Sequence, residues 1–212
     1  MRPQRGTMDT SDTFRFLQAE ITRLRDENRA LKGELIVAQS SVRALCSLQA
    51  ILEKLSPELD VLSLLNELLT SALMVVGASD GSLLLRDDQT GDLVFAVVLG
   101  QARAELTGFH IPPGKGIAGW VAVNRQPAIV RDVHLDPRFY SAVDETFGFH
   151  THSLACVPLQ DGARVLGVLE AINKGANREF SPQDLDLLQL VALLASIALA
   201  RAEQFTEAMP PA

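Results

Sequence analysis

Cysteine is scarce in this 212-residue chain: only Cys46 and Cys156 occur, far apart and in unlike surroundings. That excludes a disulfide framework and fits a reducing compartment. Basic charge is also short, with 19 Lys and Arg against 26 Asp and Glu, a net charge of -7 and a pI near 5.1. An electrostatic grip on nucleic acid or anionic lipid is therefore not expected. The basic residues between Arg15 and Arg43 are interleaved with acids and read as a solvated helix face. No apolar stretch occupies Met1 to Thr10, so no secretory signal is expected. The longest apolar run, Leu187 to Ala200, is broken by Gln189 and Ser196 and falls short of the about 20 residues a bilayer span needs. It reads as a buried helix, and the chain as cytoplasmic, with no membrane and no nucleic-acid partner.

What is present is enough apolar material, 47% of residues, for one ordinary domain plus an extension. From Phe14 onward apolar residues recur alternately three and four apart. Phe14, Ile21, Asn28, Leu35 and Val42 fall at heptad position a; Leu17, Leu24, Leu31, Ala38 and Leu45 fall at d. A β-branched residue at a with Leu at d favours two parallel strands, and a lone Asn at a fixes register. Glu20 and Glu27 at g would meet Arg25 and Lys32 at e of a second copy. Residues 12–47 are thus expected to form a dimerising coiled coil, its seam carried by Leu17, Ile21, Leu24, Asn28, Leu31 and Leu35. Residues 1–11 and 206–212 are expected to be disordered. After Leu45 the pattern slips, and Ser56-Pro57 reads as the capped start of a new helix.

The remainder, 48–205, alternates like a single α+β domain. Leu59 to Val76 has helical spacing and ends at Gly77, a C-cap. Leu83–Leu85 and Leu93–Leu99 read as strands around a polar loop, and Thr107–Ile111 as a third. Gly114-Lys115-Gly116 opens a short helix through Trp120; Pro127–Val130 is extended, and Asp136-Pro137 begins a helical turn. Leu154–Leu159 and Val165–Ile172 flank Asp161-Gly162, the strongest hairpin signal in the chain. Ser181-Pro182-Gln183-Asp184 is a capping box that launches a last helix to about Phe205. That helix is apolar on nearly every side, so it reads as buried on both flanks, one against the sheet and one against a second subunit.

Three stretches resemble the GAF family, a relative of the PAS fold. They are Gly77-Ala-Ser-Asp-Gly-Ser-Leu-Leu-Leu85; Gly114-Lys-Gly-Ile-Ala-Gly-Trp-Val121 with Ile129–Val133 and Asp136–Phe139; and Ser153–Leu159 with Gly167–Lys174, Phe180 and Asp184. The resemblance implies an antiparallel sheet with helices on one face and a ligand cavity under loops on the other. It places Ser82, Ile117, Ala118, Trp120, Asp132, Val133, Asp136, Phe139, Phe149, Ser153 and Glu170 around that cavity. Asn173, Lys174, Phe180 and Asp184 resemble the signature of cyclic-nucleotide-binding members, with Leu185 where that signature has Glu. The ligand stays unassigned and a cyclic nucleotide is weakly supported; these four residues read better as a structural lock, with Lys174 pairing with Asp184.

Each remaining candidate has a plainer reading. The Gly114-Lys115-Gly116 turn lacks the spacing of a nucleotide-hydrolysing loop and reads as a helix N-terminus capping the cavity. His150 and His152, two apart, would share a face with Cys156; nothing else supports a metal, and none is expected. Cys156 reads as a small buried hydrophobe. A methionine sulfoxide reductase of this family needs several reactive cysteines and a bilin site commonly has His after its Cys, where this chain has Val157. Glu170, on a strand face with Leu166, Val168 and Ile172, needs a partner or a raised pKa. A strand-end Glu bonded to a loop is preferred over ligand contact. The chain reads as a dimeric sensory protein, not an enzyme, that binds a small molecule and acts on a protein partner. The alternatives are a ligand-free dimerisation module and a Cys156-based redox enzyme.

Overall fold

The computed structural model describes residues 14–29, 31–32, 60–101, 103–175 and 178–208. The chain divides into two units, Met1–Ser40 and Ser41–Ala212. In the first, residues 14–29 form helix α1. Leu17, Ile21, Leu24 and Leu31 stand about half exposed along one stripe, with Phe14 at its head and Asn28 exposed among them. Glu20 is held by Arg23 of its own helix, one turn on, at 2.6 Å. Leu35, Cys46, Ser56 and Pro57 lie outside the described residues.

The second unit begins with α2, Val61–Val76. Asp60 is its N-cap: its carboxylate accepts from the Leu62 and Ser63 amides at 3.1 and 3.3 Å, where the sequence reading had looked to Ser56. Gly77 ends the helix in the left-handed conformation, φ 71°, with its N–H on the Leu73 carbonyl. Six strands follow: β1 Ala78–Arg86, β2 Leu93–Leu99, β3 His110–Ile111, β4 Ala128–Val130, β5 Leu154–Asp161 and β6 Arg164–Lys174. They form one antiparallel sheet in the order β3-β2-β1-β6-β5-β4. Between them lie α3 Arg103–Leu106, α4 Gly116–Asn124, a 3-10 turn Val133–Leu135 and α5 Ala142–Phe147. Helix α6, Pro182–Ala208, closes the unit.

Strand periodicity sorts the side chains to two faces. Leu83, Val157, Leu169 and Ala171 join Leu65, Leu69, Leu188, Leu194 and Ala195 of α2 and α6 in one core. Leu84, Leu154, Cys156 and Val168 join Ile117, Val121 and Val133 in a second core on the other face. Two β-bulges shift this alternation. Leu83 pairs with Val97 but Leu84 with Phe95, so Ala96 is the extra residue of β2. Leu159 pairs with Gly167 but Gln160 with Val165, so Leu166 is the extra residue of β6. Leu166 consequently packs with the helices, not with Glu170 as expected from simple alternation.

Other expectations also change. The third strand shrinks to two residues, because Gly108 at φ 84° turns the chain after α3 and donates to the Phe95 carbonyl. No helix starts at Asp136-Pro137. Asp136 is extended, as a residue before proline prefers, and the preceding 3-10 turn is capped by Asp132. The last helix continues through Ala208, so 206–208 are helical. Its segment Pro182–Gln204 is long and apolar enough, by length and composition, to cross a membrane. Here Leu188, Ala192, Leu194, Ala195 and Ala198 are buried against β5 and α2. Leu185, Leu187, Val191, Ile197 and Leu199 are half-buried and Leu193 is exposed, on the flank that was assigned to a second subunit.

Candidate functional site

Opposite the helices, the sheet carries a row of register partners running across five strands: Val98, Ser82, Glu170, Cys156 and Ala128. All five are buried. Ser82 and Glu170 face each other across β1 and β6, and the Ser82 hydroxyl donates to Glu170 Oε2 at 2.7 Å. Glu170 is therefore mid-strand and bonded to a neighbouring strand, not a strand-end residue tied to a loop. Its side chain is buried, 7% exposed, on a face whose other residues are mostly apolar. That desolvation raises its pKa to about 7, against the opposing effect of the Ser82 bond.

Above this row sits a cavity of about 80 Å³. Its floor includes Asp80, Ser82, Leu154, Glu170 and Ile172; its walls include Phe95, Val98 and Ile111. Gly116, Ile117 and Ala118 from the N-terminus of α4, Phe139 to Asp144 with α5, and Phe149 with Thr151 cover it. The residues around it hold one another. Both Asp144 oxygens are taken, by the Thr151 amide at 2.7 Å and hydroxyl at 2.8 Å. Asp80 accepts from the Gln101 amide at 3.1 Å and the Ser79 hydroxyl at 2.5 Å. The second oxygen of Glu170, Oε1, carries no hydrogen bond among the described residues and stays within reach of a molecule in the cavity.

Of the residues named from sequence, Ser82, Ile117, Ala118, Phe139, Phe149 and Glu170 line this cavity, whereas Trp120, Asp132, Val133, Asp136 and Ser153 do not. Trp120 lies beneath the Arg138 guanidinium, 4.5 Å from its ring centre, and Arg138 is gripped by Asp136 at 2.6 Å. The bonds from Arg138 hold the Asp136 carboxyl below its ordinary value. Asp132 caps the 3-10 turn, Val133 is wholly buried beneath it, and Ser153 bonds the end of β6. Sequence reasoning missed Asp80, Tyr140 and Asp144. Asp80 was legible as the period-2 neighbour of Ser82. The others reach the cavity only through chain closure.

The end of β6 links the cover to α6. Asn173, left-handed at φ 55°, accepts from the His152 amide at 2.7 Å and donates to the His150 carbonyl at 2.8 Å. The next residue, Lys174, forms an ion pair with Asp184 in the first turn of α6 and lies 5.7 Å from the Phe180 ring centre. Burial alone would raise the Asp184 pKa, but bonds from Lys174 and Ser181 outweigh it and hold it down. Ser181 and Asp184 complete a reciprocal capping box, Ser181 N to Asp184 Oδ2 at 2.7 Å and Asp184 N to Ser181 Oγ at 3.2 Å.

Other chemistry is poorly served. Cys156 is fully buried, and desolvation first, then the nearby Glu170 charge, push its thiol well up, away from a reactive thiolate. His150 lies in the loop before β5, and among the described residues no group of three or more His, Cys, Asp and Glu converges to hold a metal. The short helix at Gly116 has no side-chain cap, and Gly116, Ile117 and Ala118 line the cavity.

Residues 60–199 match the sequence profile of the GAF domain. The chain belongs to the GAF family. A dual 3′,5′-cyclic-AMP and -GMP phosphodiesterase 11A from Takifugu rubripes is 36% identical over 98 residues, 45% of this chain. The match spans only 11% of that protein. Among solved structures, the GAF domain of a phosphoenolpyruvate-protein phosphotransferase from Coxiella burnetii is 20% identical. It superposes with a TM-score of 0.64 over 79% of this chain and 98% of that one. A free methionine-R-sulfoxide reductase from Neisseria meningitidis, 21% identical, gives 0.61 over 76% and 89%. At these identities the likeness of this GAF domain to the solved structures is one of fold.

Proposed function

We propose that this GAF domain is a ligand-responsive regulatory module, not an enzyme, that works as a homodimer and passes the occupancy of its cavity to a protein partner. The observation that carries the reading is the cavity on the sheet, with a partly unpartnered carboxylate in its floor. Such a group is costly to keep in an apolar wall, and a bound molecule offering a donor would offset that cost. Asn173 and Lys174 support the transmission half of the reading. Adjacent in sequence, one grips the 150–153 cover and the other grips the start of α6. A ligand that favours one position of the cover would thereby bias α6. The exposed stripe of α1 and the exposed Leu193 of α6 favour a second copy as the first listener.

The name of the phosphodiesterase relative suggests a cyclic nucleotide, but the chain departs from the cyclic-nucleotide signature at Leu185. Among the described residues no Lys, Arg or His lines the cavity to meet a phosphate. A redox role through Cys156 is disfavoured by its burial and raised pKa.

Native mass spectrometry of the purified full chain, with a thermal-shift screen of common metabolites, tests the binding half. The reading expects a retained mass or a rise in Tm of several degrees that is lost in Ala118→Trp, which fills the cavity. No mass and no shift with any compound would leave a ligand-free module. Light scattering tests the dimer, which Leu24→Glu should break at micromolar concentration.

A further inference from the structure

We infer that the cavity selects a small molecule carrying a protonated amine, seated with its N–H groups on Glu170 Oε1 and its body against the aromatic wall. This rests on the reading of the cavity as a ligand site and adds the charge and size of what enters it.

Three carboxylates line the space, and they are not equivalent. Asp144 has both oxygens bonded to Thr151, and Asp80 has both bonded to Ser79 and Gln101. Each is committed to holding the protein together. Glu170, only 7% exposed, is bonded through one oxygen alone, by Ser82. Its other oxygen is the acceptor left over, and its surroundings are the cavity. A carboxylate accepts and does not donate when ionised, so its complement is a donor, and a cation most of all. The rest of the lining agrees. Phe95, Phe139, Tyr140 and Phe149 contribute aromatic rings, whose faces attract cations.

Charge also excludes. Among the described residues, the cavity lining contains no Lys, Arg or His, and Arg138 nearby is spent on Asp136 and Trp120. An anion placed here would meet carboxylates and no cation. Size excludes too. At about 80 Å³ the cavity has room for roughly three water-sized groups, at about 30 Å³ each. A nucleotide needs several times that volume.

The test uses the full chain at pH 8 and probes small enough for the cavity that differ in charge but hardly in size: ethylamine, ethanol and acetate, with cyclic AMP and cyclic GMP alongside. Each is titrated by calorimetry and by thermal shift. The amine is expected to bind at least tenfold tighter than the alcohol, with the three anions weaker still. In Glu170→Gln, an isosteric change, the amine should lose at least tenfold while the alcohol stays within about twofold. Should that variant fail to fold, the comparison of amine with alcohol on the unaltered protein decides alone. If the alcohol equals the amine, or an anion binds in its place, the ligand class assigned here is wrong while the cavity remains a binding site. If none of the five binds and native mass spectrometry finds no retained molecule, the binding reading itself fails. A molecule retained through purification is equally decisive: an amine supports the inference, and a neutral or acidic compound overturns it.

Discussion

The two faces of the sheet are built from the same strands and differ in what they bury. Toward α2 and α6 the side chains are almost wholly aliphatic. The buried Ser196 is satisfied there, donating to the Ala192 carbonyl and accepting from the Gln160 amide at 2.8 Å each. Toward the cavity, the alternate positions of β1 and β6 bring in Asp80, Ser82 and Glu170. The neighbours Leu83 and Leu169 face the helices and are inaccessible, while Ser82 and Glu170 face the cavity. One face supplies the folding energy and the other spends part of it on polar groups. A change at a strand position should therefore bear on ligand response only on the cavity face, with parity deciding the face except where a bulge resets the count.

The sharpest way to break this division is to strike a position that both faces share. Gly167 is such a position, since a Cβ built there would stand 2.0 Å from the Leu84 carbonyl oxygen, against backbone that cannot swing aside. Gly167→Ala should cost at least ~4 kcal/mol or leave no folded protein. Urea unfolding would measure it, and a loss under 1 kcal/mol would show that β1 and β6 can part without penalty. The next largest effect is expected at the junction to α6, where Lys174 and Asp184 are only 9% and 12% exposed. Lys174→Ala strands a buried carboxylate and should cost about 3 kcal/mol. Because the Asp184 pKa is depressed in the folded state, its contribution is present above its ordinary value of 3.8 and lost as pH falls through the folded value. The variant should lack that acid-side loss, which denaturation curves between pH 2 and pH 5 would reveal.

Glu170 should behave in the opposite sense. Its pKa rises from 4.5 to about 7 on folding, so between these values the native state holds more protons than the unfolded state. Stability then falls as pH rises through that window, by roughly 3 kcal/mol in all as an upper figure, since 1 pKa unit is about 1.4 kcal/mol. The groups that meet Glu170 are Ser82 on β1, Cys156 on β5, and Asp80 and Asp144 in the cavity lining. None of them offers a positive charge. Glu170→Gln should flatten the slope and gain about 2 kcal/mol at pH 8. A variant as pH-dependent as the parent from pH 4.5 to 8 would mean that the carboxylate is better solvated than its position allows.

How much of this was readable beforehand follows from the range of the interactions. β2 was legible from end to end because Leu93–Leu99 is a β-branched and aromatic run. The Gly77 cap and the Ser181–Asp184 box were legible because caps are local rules. The face of Leu166 was not, because a bulge breaks the period on which the inference stands. The Ser82–Glu170 bond joins residues 88 apart in sequence, and nothing local in either segment announces it. Trp120 and Asp136 were placed at the cavity by the family resemblance, which carries no information on side-chain direction. Both turn outward into a contact with Arg138, while Asp144 arrives through the fold of α5.

The smallest predicted effect concerns Cys156, the register partner of Glu170 and the one group on the cavity face that suggests covalent chemistry. A nucleophilic thiol needs exposure and a positive environment, and Cys156 has neither: burial and the Glu170 carboxylate both disfavour its anion. In a Cys46→Ser background, iodoacetamide at pH 8 should leave the native protein unlabelled and react fully once it is unfolded. Cys156→Ala should cost about 1 kcal/mol, the loss of one small buried group, and leave amine binding within about twofold. Rapid labelling of the native protein would place the thiol within reach of the cavity. The floor would then hold two reactive groups, and the redox reading would have to be reopened.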